Sequence, residues 1–321
     1  MILFKDNFFI LNLNHKRNQM GSRKTFLKQS AFLAAGALIA PACMSGNSVS
    51  EEKASEEEKA SDRNIGLQLY TLREIIGQDV PGVIGKVAAI GYKDVEGYGF
   101  SSKGGFWGLS PQEFKALLDQ NNLVSTSGHY GIEDFIRTDS KDELQAIIDA
   151  AKVIGNEYVT VPYLSEDLRT PDSYKMIADK LNIDAEMCKT AGLKLGYHNH
   201  DFEFADLGDG ETALKIFMRN TDPDLVQFEL DIYWAVRSGN DPIALFNEFP
   251  GRFAMWHIKD MDKTTPTINT EVGSGSIDFK TIFASAKESG MKHFFVEQEN
   301  FSMDPYESIT QSFNYIKTEL I

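Results

Sequence analysis

The chain has 321 residues and carries 47 Asp and Glu against 32 Lys and Arg, a formal net charge of −15. That balance excludes a binder of nucleic-acid backbones, which needs clustered cations to displace counterions. Two cysteines, Cys43 and Cys188, exclude a disulfide framework and a cysteine-built zinc finger, and the length leaves room for two small domains or one large α/β barrel.

Residues 1–43 read as an export segment. Ser22-Arg23-Lys24-Thr25-Phe26-Leu27-Lys28 supplies a positive start, and Ser30 to Ala40 supplies an apolar run too short for the roughly 20 residues of a membrane-spanning helix. The positive string resembles a twin-arginine signal with Lys24 in place of the second Arg, and Met20 is a second candidate start. Ala40-Pro41-Ala42-Cys43 resembles a loose lipobox. Two outcomes stay open, a lipid anchor on Cys43 or cleavage nearby without lipid. Either places the protein in the periplasm or on a membrane as a lipoprotein. Residues 44–63 contain the acidic repeat Ser50 to Ser61, which has too few apolar groups to offset ordering entropy and reads as a disordered linker.

From residue 64 to 321 short β-rich runs alternate with helical ones. The strand candidates are Ile65–Tyr70, Asp94–Tyr98, Val124–His129, Tyr158–Pro162, Lys194–His198, Val226–Asp231, Phe253–Ile258 and His293–Glu297. Helical periodicity falls on Val83–Ile90, Pro111–Asn121, Lys141–Ile154, Asp172–Ala191, Thr212–Arg219, Asp241–Glu248, Asp278–Ser289 and Pro305–Thr318. Ser110-Pro111 and Asp241-Pro242 are helix starts, a capping oxygen before a first-turn proline. Glycines 91, 155, 192 and 290 stand where helices stop. Cys188, alone on its helix, reads as a small core residue. Eight βα repeats predict a single α/β domain, a (β/α)8 TIM barrel. An open doubly wound sheet is disfavoured because Gly66-Leu67-Gln68-Leu69-Tyr70 lacks a glycine-rich phosphate fingerprint.

Barrel active sites lie at the C-terminal strand ends. Those ends carry Gln68, Glu96, His129, Tyr163, His198-Asn199-His200, Asp231, His257 with Lys259, and Glu297-Gln298-Glu299. Asp231, His257 and Glu297 each close an apolar run, so their side chains sit low and partly desolvated. Two buried carboxylates repel one another unless a cation joins them. The mixed oxygen and nitrogen set suits Mn2+, Mg2+, Co2+ or Zn2+; the bland alternative is a solvated rim in which Lys259 neutralises the acids.

With these residues in view the chain resembles the xylose-isomerase-like barrel family of sugar-phosphate isomerases/epimerases, inosose dehydratases and endonuclease-four-type enzymes. The resemblance runs from Ile65 to the C-terminus. It is carried by Gly196-Tyr197-His198-Asn199-His200-Asp201-Phe202-Glu203-Phe204, Glu229-Leu230-Asp231-Ile232-Tyr233-Trp234, His257-Ile258-Lys259-Asp260, Val272-Gly273-Ser274-Gly275 and Val296-Glu297-Gln298-Glu299. It implies a divalent metal held by His198, Asp231, His257 and Glu297, with His198 standing where the epimerases have Glu. That exchange removes one of the two carboxylates that serve the epimerases as acid and base. The role passes to Glu203 or His200, beside Glu297 and Lys259 as the other catalytic groups. Gln68, Glu96, His129, Tyr163 and Trp234 are the candidate substrate contacts, Trp234 as an apolar platform for a sugar face.

The chemistry implied is removal of a proton from carbon beside a carbonyl, with the metal as Lewis acid. The step serves isomerisation or epimerisation of a neutral sugar or keto-sugar. It equally serves a lyase or hydratase acting on 3-keto-glycosides. Export disfavours a phosphorylated substrate, and Gly273-Ser274-Gly275 reads as a structural turn, with a phosphate grip as its alternative. The expected partner is a small sugar, with no nucleic acid. A sugar-binding lipoprotein without catalysis is the competing class; it would not need the metal set.

Overall fold

The computed structural model describes residues 63–321. The export segment, the Cys43 anchor and the linker up to residue 62 lie outside the described residues. Among the described residues no helix is long and apolar enough to cross a membrane.

All eight expected strands are present, two with the expected bounds and six shorter than the sequence pattern suggests. They are β1 Gly66–Gln68, β2 Asp94–Glu96, β3 Ser127–His129, β4 Tyr158–Val161, β5 Lys194–His198, β6 Val226–Asp231, β7 Met255–Ile258 and, last in the barrel, β10 His293–Val296. A hairpin of β8 Asp260–Met261 and β9 Asn269–Thr270, which the periodicity does not announce, lies between β7 and β10. β1 stops at Gln68 because its side chain turns back to accept from Tyr70 N (2.9 Å) and starts a 3-10 turn over Leu69–Leu72.

The barrel strands are parallel in the order β2-β1-β10-β7-β6-β5-β4-β3. The two ends are stitched by Val95 N to Val124 O (3.0 Å) and His129 N to Gly97 O (2.8 Å), so the sheet nearly closes into the expected TIM barrel. The helices cap as their sequences predict. Ser110 and Glu113 form a reciprocal capping box on Pro111–Gln120; Thr170 caps Pro171–Thr190, and Asp241 caps Pro242–Glu248. One expected helix, 278–289, breaks at Ser285 into Phe279–Ala284 and Ala286–Ser289. Cys188 is buried on its helix, as expected.

Inside the barrel the lower layer is apolar: Tyr158, Met255 and Phe295 pack together. Gly196 makes the room for it. A Cβ there would lie 2.4 Å from Thr160 Oγ1 and 2.8 Å from Met255 Cε, closer than packed atoms tolerate. Two residues further along each strand the same inward face becomes polar, which places the chemistry above a dry floor.

Candidate active site

Parallel register sets which strand-end groups meet. His198 is level with Glu229, Asp231 with His257, Gln68 with Glu96, and His257 with Phe295. Side chains alternate faces along a strand, so Glu229 and Asp231, two apart on β6, both point inward.

The result is two stacked layers. In the lower one, Glu229 Oε2 receives His129 Nε2 at 2.8 Å, His198 Nδ1 at 3.0 Å and His257 Nε2 at 3.1 Å. Glu96 Oε2 lies 2.8 Å from His257 Nε2 and accepts from Gln68 Nε2 at 2.7 Å. In the upper layer His257 Nδ1 is 3.0 Å from Glu297 Oε2, and His198 Nε2 is 4.0 Å from Asp231 Oδ2. Lys259 Nζ sits among the upper acids, 2.7 Å from Glu297 Oε2, 3.1 Å from Asp231 Oδ2 and 2.6 Å from Glu299 Oε1. Glu96, Glu229, Asp231 and His257 are wholly buried.

Such packing reshapes ionisation. Burial pushes Asp231 up to about 6 even with Lys259 beside it. Burial also opposes the charge on Glu297, but Lys259 and His257 outweigh it and hold that carboxyl well below the usual range. Lys259 is held well above its usual value, because Asp231 and Glu297 overcome its desolvation. Burial and the neighbouring His257 drop His198 to about 3, and burial with His198 drops His200 well below its usual value. Those two rings are therefore neutral near pH 7.

A cavity of about 510 Å³ opens over this layer. His129, His198, Glu297 and Glu299 form its floor, His200 and Tyr163 one wall, and Tyr70, Tyr98 and Phe100 another. A larger groove of about 1000 Å³ runs between the helices Val80–Ile90 and Pro305–Tyr315. It contains none of the converging groups, and chemistry places the site in the barrel mouth.

His198, Asp231, His257 and Glu297 come together, with ligating atoms within 4.8 Å of one another. Asp231 Oδ2 is buried without a hydrogen bond, Lys259 being an ion-pair neighbour only. Two imidazoles and two carboxylates so disposed fit a divalent cation. Lys259 also neutralises Asp231 and Glu297, as the bland alternative foresaw. His129, Tyr163 and His200 line the cavity.

Three expectations need correction. Gln68 and Glu96 are not surface contacts for substrate: both are fully buried beneath the histidines and support His257. Glu203 does not face the cavity. Its carboxylate accepts from Tyr197 Oη and His200 N, both at 2.7 Å, so it positions the His198–His200 turn. Trp234 backs His200, ring centres 5.6 Å apart, and lies outside the cavity wall. The turn at Gly273-Ser274-Gly275 is structural: Asp260 Oδ2 accepts from Gly273 N (2.9 Å) and Gly275 N (3.0 Å), leaving no nest for phosphate.

Sequence reasoning missed Glu229, Tyr70, Tyr98 and Phe100. The two-residue spacing from Asp231 on a strand was the available signal for Glu229. Tyr70 stands in the 3-10 turn after β1, and Tyr98 and Phe100 on the loop after β2, where no periodicity marks them.

The inosose dehydratase of Lacticaseibacillus casei is 24% identical over 268 residues, covering 71% of this chain and 87% of that protein. A crystal structure of a sugar phosphate isomerase/epimerase from Parabacteroides distasonis matches with a TM-score of 0.69 and 27% identity, over 80% of this chain and 96% of the other. The fold is shared at 16% identity and a TM-score of 0.61 with the IOLI protein, solved with a bound zinc atom, over 78% of this chain and 95% of that one. The inosose dehydratase and the isomerase/epimerase are enzymes of the lyase and isomerase kind, and this chain fits that class. A family model described as xylose isomerase-like TIM barrel matches residues 84–319, and the chain belongs to that family.

Proposed function

We propose that the protein is a lyase that removes a proton beside the carbonyl of a neutral cyclic keto-sugar or keto-glycoside and expels a β-substituent. The observation that carries this is the pairing of Glu297 with Lys259 at 2.7 Å under the cavity. A base and a proton-bearing group on one side suit loss of a proton and a leaving oxygen from one face. The imidazoles of His198 and His200, which also line the cavity, are neutral and have no acidic proton to return to the substrate. The inosose dehydratase relatives support elimination in the same direction.

Glu297 takes the proton, and Lys259 holds the leaving oxygen and protonates it. His200, stacked on Phe202 and backed by Trp234, orients the ring. Tyr70, Tyr98 and Phe100 offer apolar faces to the sugar or its aglycone. A divalent cation held by His198, Asp231, His257 and Glu297 would supply Lewis-acid polarisation of the carbonyl. The 27% identical isomerase/epimerase favours a second reading, epimerisation.

Metal-loaded protein incubated in deuterated water with free sugars, cyclic keto-polyols and 3-keto-glycosides separates the readings. Elimination releases water or aglycone. Deuterium gained with every substituent retained supports the epimerase instead. No exchange on any substrate returns the protein to the binding class. From residues 22–43 we also propose export, with Cys43 as the acylation site. Metabolic labelling with a palmitate analogue should mark the wild-type chain and spare Cys43→Ser.

A further inference from the structure

We infer that the barrel holds a second cation seat, one layer beneath the first, made by His129, His198, Glu229 and His257, and that it takes zinc-class ions. The reading concerns His129 and Glu229, which the proposed reaction does not use as ligands. The four side chains are buried and their ligating atoms lie within 4.8 Å of one another. Around a tetrahedral zinc with bonds of about 2.0–2.1 Å, neighbouring ligand atoms stand about 3.3 Å apart. Glu229 Oε2 is already 2.8, 3.0 and 3.1 Å from the three ring nitrogens. An expansion of a few tenths of an ångström brings these three contacts to that spacing. Glu96 Oε2, 3.1 Å from His129 Nε2, stands by as a fifth oxygen, and Glu229 Oε1 is buried with no hydrogen bond.

What surrounds this lower seat is already arranged for it. Ligation through His257 Nε2 leaves Nδ1–H to donate to Glu297 Oε2 at 3.0 Å, the carboxylate–histidine–metal relay that fixes a ligand's tautomer. Lys259 stays on Asp231 and Glu297 undisturbed. The upper seat, by contrast, shares Asp231 and Glu297 with that ammonium. Three nitrogens and one oxygen suit zinc, whereas the oxygen-richer upper set suits Mg2+ or Mn2+.

The two seats exclude one another. Both use His198 and His257, but through opposite nitrogens, Nδ1 and Nε2 below, Nε2 and Nδ1 above. A neutral imidazole has one lone pair for a metal, and its other nitrogen carries a proton. Filling the lower seat therefore strips the upper one of two ligands. Zinc entering below competes with the ion that serves the reaction.

The test uses the metal-stripped full-length chain and the variants Glu229→Gln, His129→Ala and Asp231→Asn. Zn2+ affinity is read by calorimetry and metal content by mass spectrometry. In the wild type and Asp231→Asn, zinc binds at one ion per chain. In Glu229→Gln and His129→Ala its affinity falls by more than about 100-fold, beyond the cost of losing an outer-shell partner. Glu229→Gln keeps the shape of the side chain, so a misfolded His129→Ala does not decide the outcome. Zinc lost from Asp231→Asn but retained by Glu229→Gln overturns the inference, as does a wild type that binds no zinc. These readouts involve no sugar, so failure of the proposed reaction shows separately, as absence of deuterium exchange.

Discussion

Lys259→Met tests how the upper layer is held together. The ammonium is 1% exposed and lies within 3.1 Å of Asp231, Glu297 and Glu299. Removing one partner of a buried ion pair strands the others, at a cost of about 3–5 kcal/mol. For a domain of this size that is a fall in Tm of roughly 6–20 °C. The sign with pH follows from Asp231, which burial has already raised to about 6. A carboxylate whose folded value exceeds its unfolded one destabilises the fold as pH rises between the two. Without Lys259 its folded value climbs further, and below it the stranded acid relieves itself by taking a proton. Glu297, held low by the same ammonium, keeps part of the deficit at pH 5, and Asp231 should enlarge it between pH 5 and pH 8. Mn2+ at 100 times its dissociation constant should return about 2.7 kcal/mol. Thermal melts of both proteins at the two pH values, with and without Mn2+, make the measurement. Equal melting temperatures at pH 8, or a deficit independent of pH, refute the reasoning.

Glu297→Gln should lower turnover by about 10²–10⁴-fold, the usual worth of a general base, with circular dichroism unchanged; full activity removes the base assignment. Glu203 offers a check on its reassignment. Burial lifts its carboxyl to about 7, above its unfolded value, so it should cost stability progressively from about pH 4.5 to above pH 7. Glu203→Gln should flatten that slope in urea titrations at pH 5 and pH 8; an unaltered slope means the carboxylate is not where the fold puts it. Tyr70 and Tyr163 are 40% and 46% exposed at the cavity mouth. Tyr70→Ala and Tyr163→Ala should raise KM for substrates with an aromatic aglycone severalfold while leaving kcat within about twofold. An unchanged KM would place the aglycone elsewhere.

The outline of the site was legible early because a parallel barrel advertises itself. Apolar runs ending in a polar residue mark each strand's C-terminal end, and His198, Asp231, His257 and Glu297 were found that way. Glu203 misled because its distance from His198 along the chain ignores the 3-10 turn Phe202–Phe204 that swings it onto Tyr197. Gln68 and Glu96 misled in the other direction. Their side chains are fully buried and spent on each other and on His257 rather than offered to the cavity.

From amino acids alone came the alternation of strands and helices, the caps that bound them, and the conclusion that polar groups gather at one rim, since those are consequences of local periodicity and capping chemistry. The convergence of three histidines on Glu229, and the seating of Lys259 between Asp231 and Glu297, were decided only by tertiary structure. Both depend on inter-strand register, which compares residues far apart in the chain, from 28 positions for Asp231 and Lys259 to 100 for His129 and Glu229, and no local pattern encodes that.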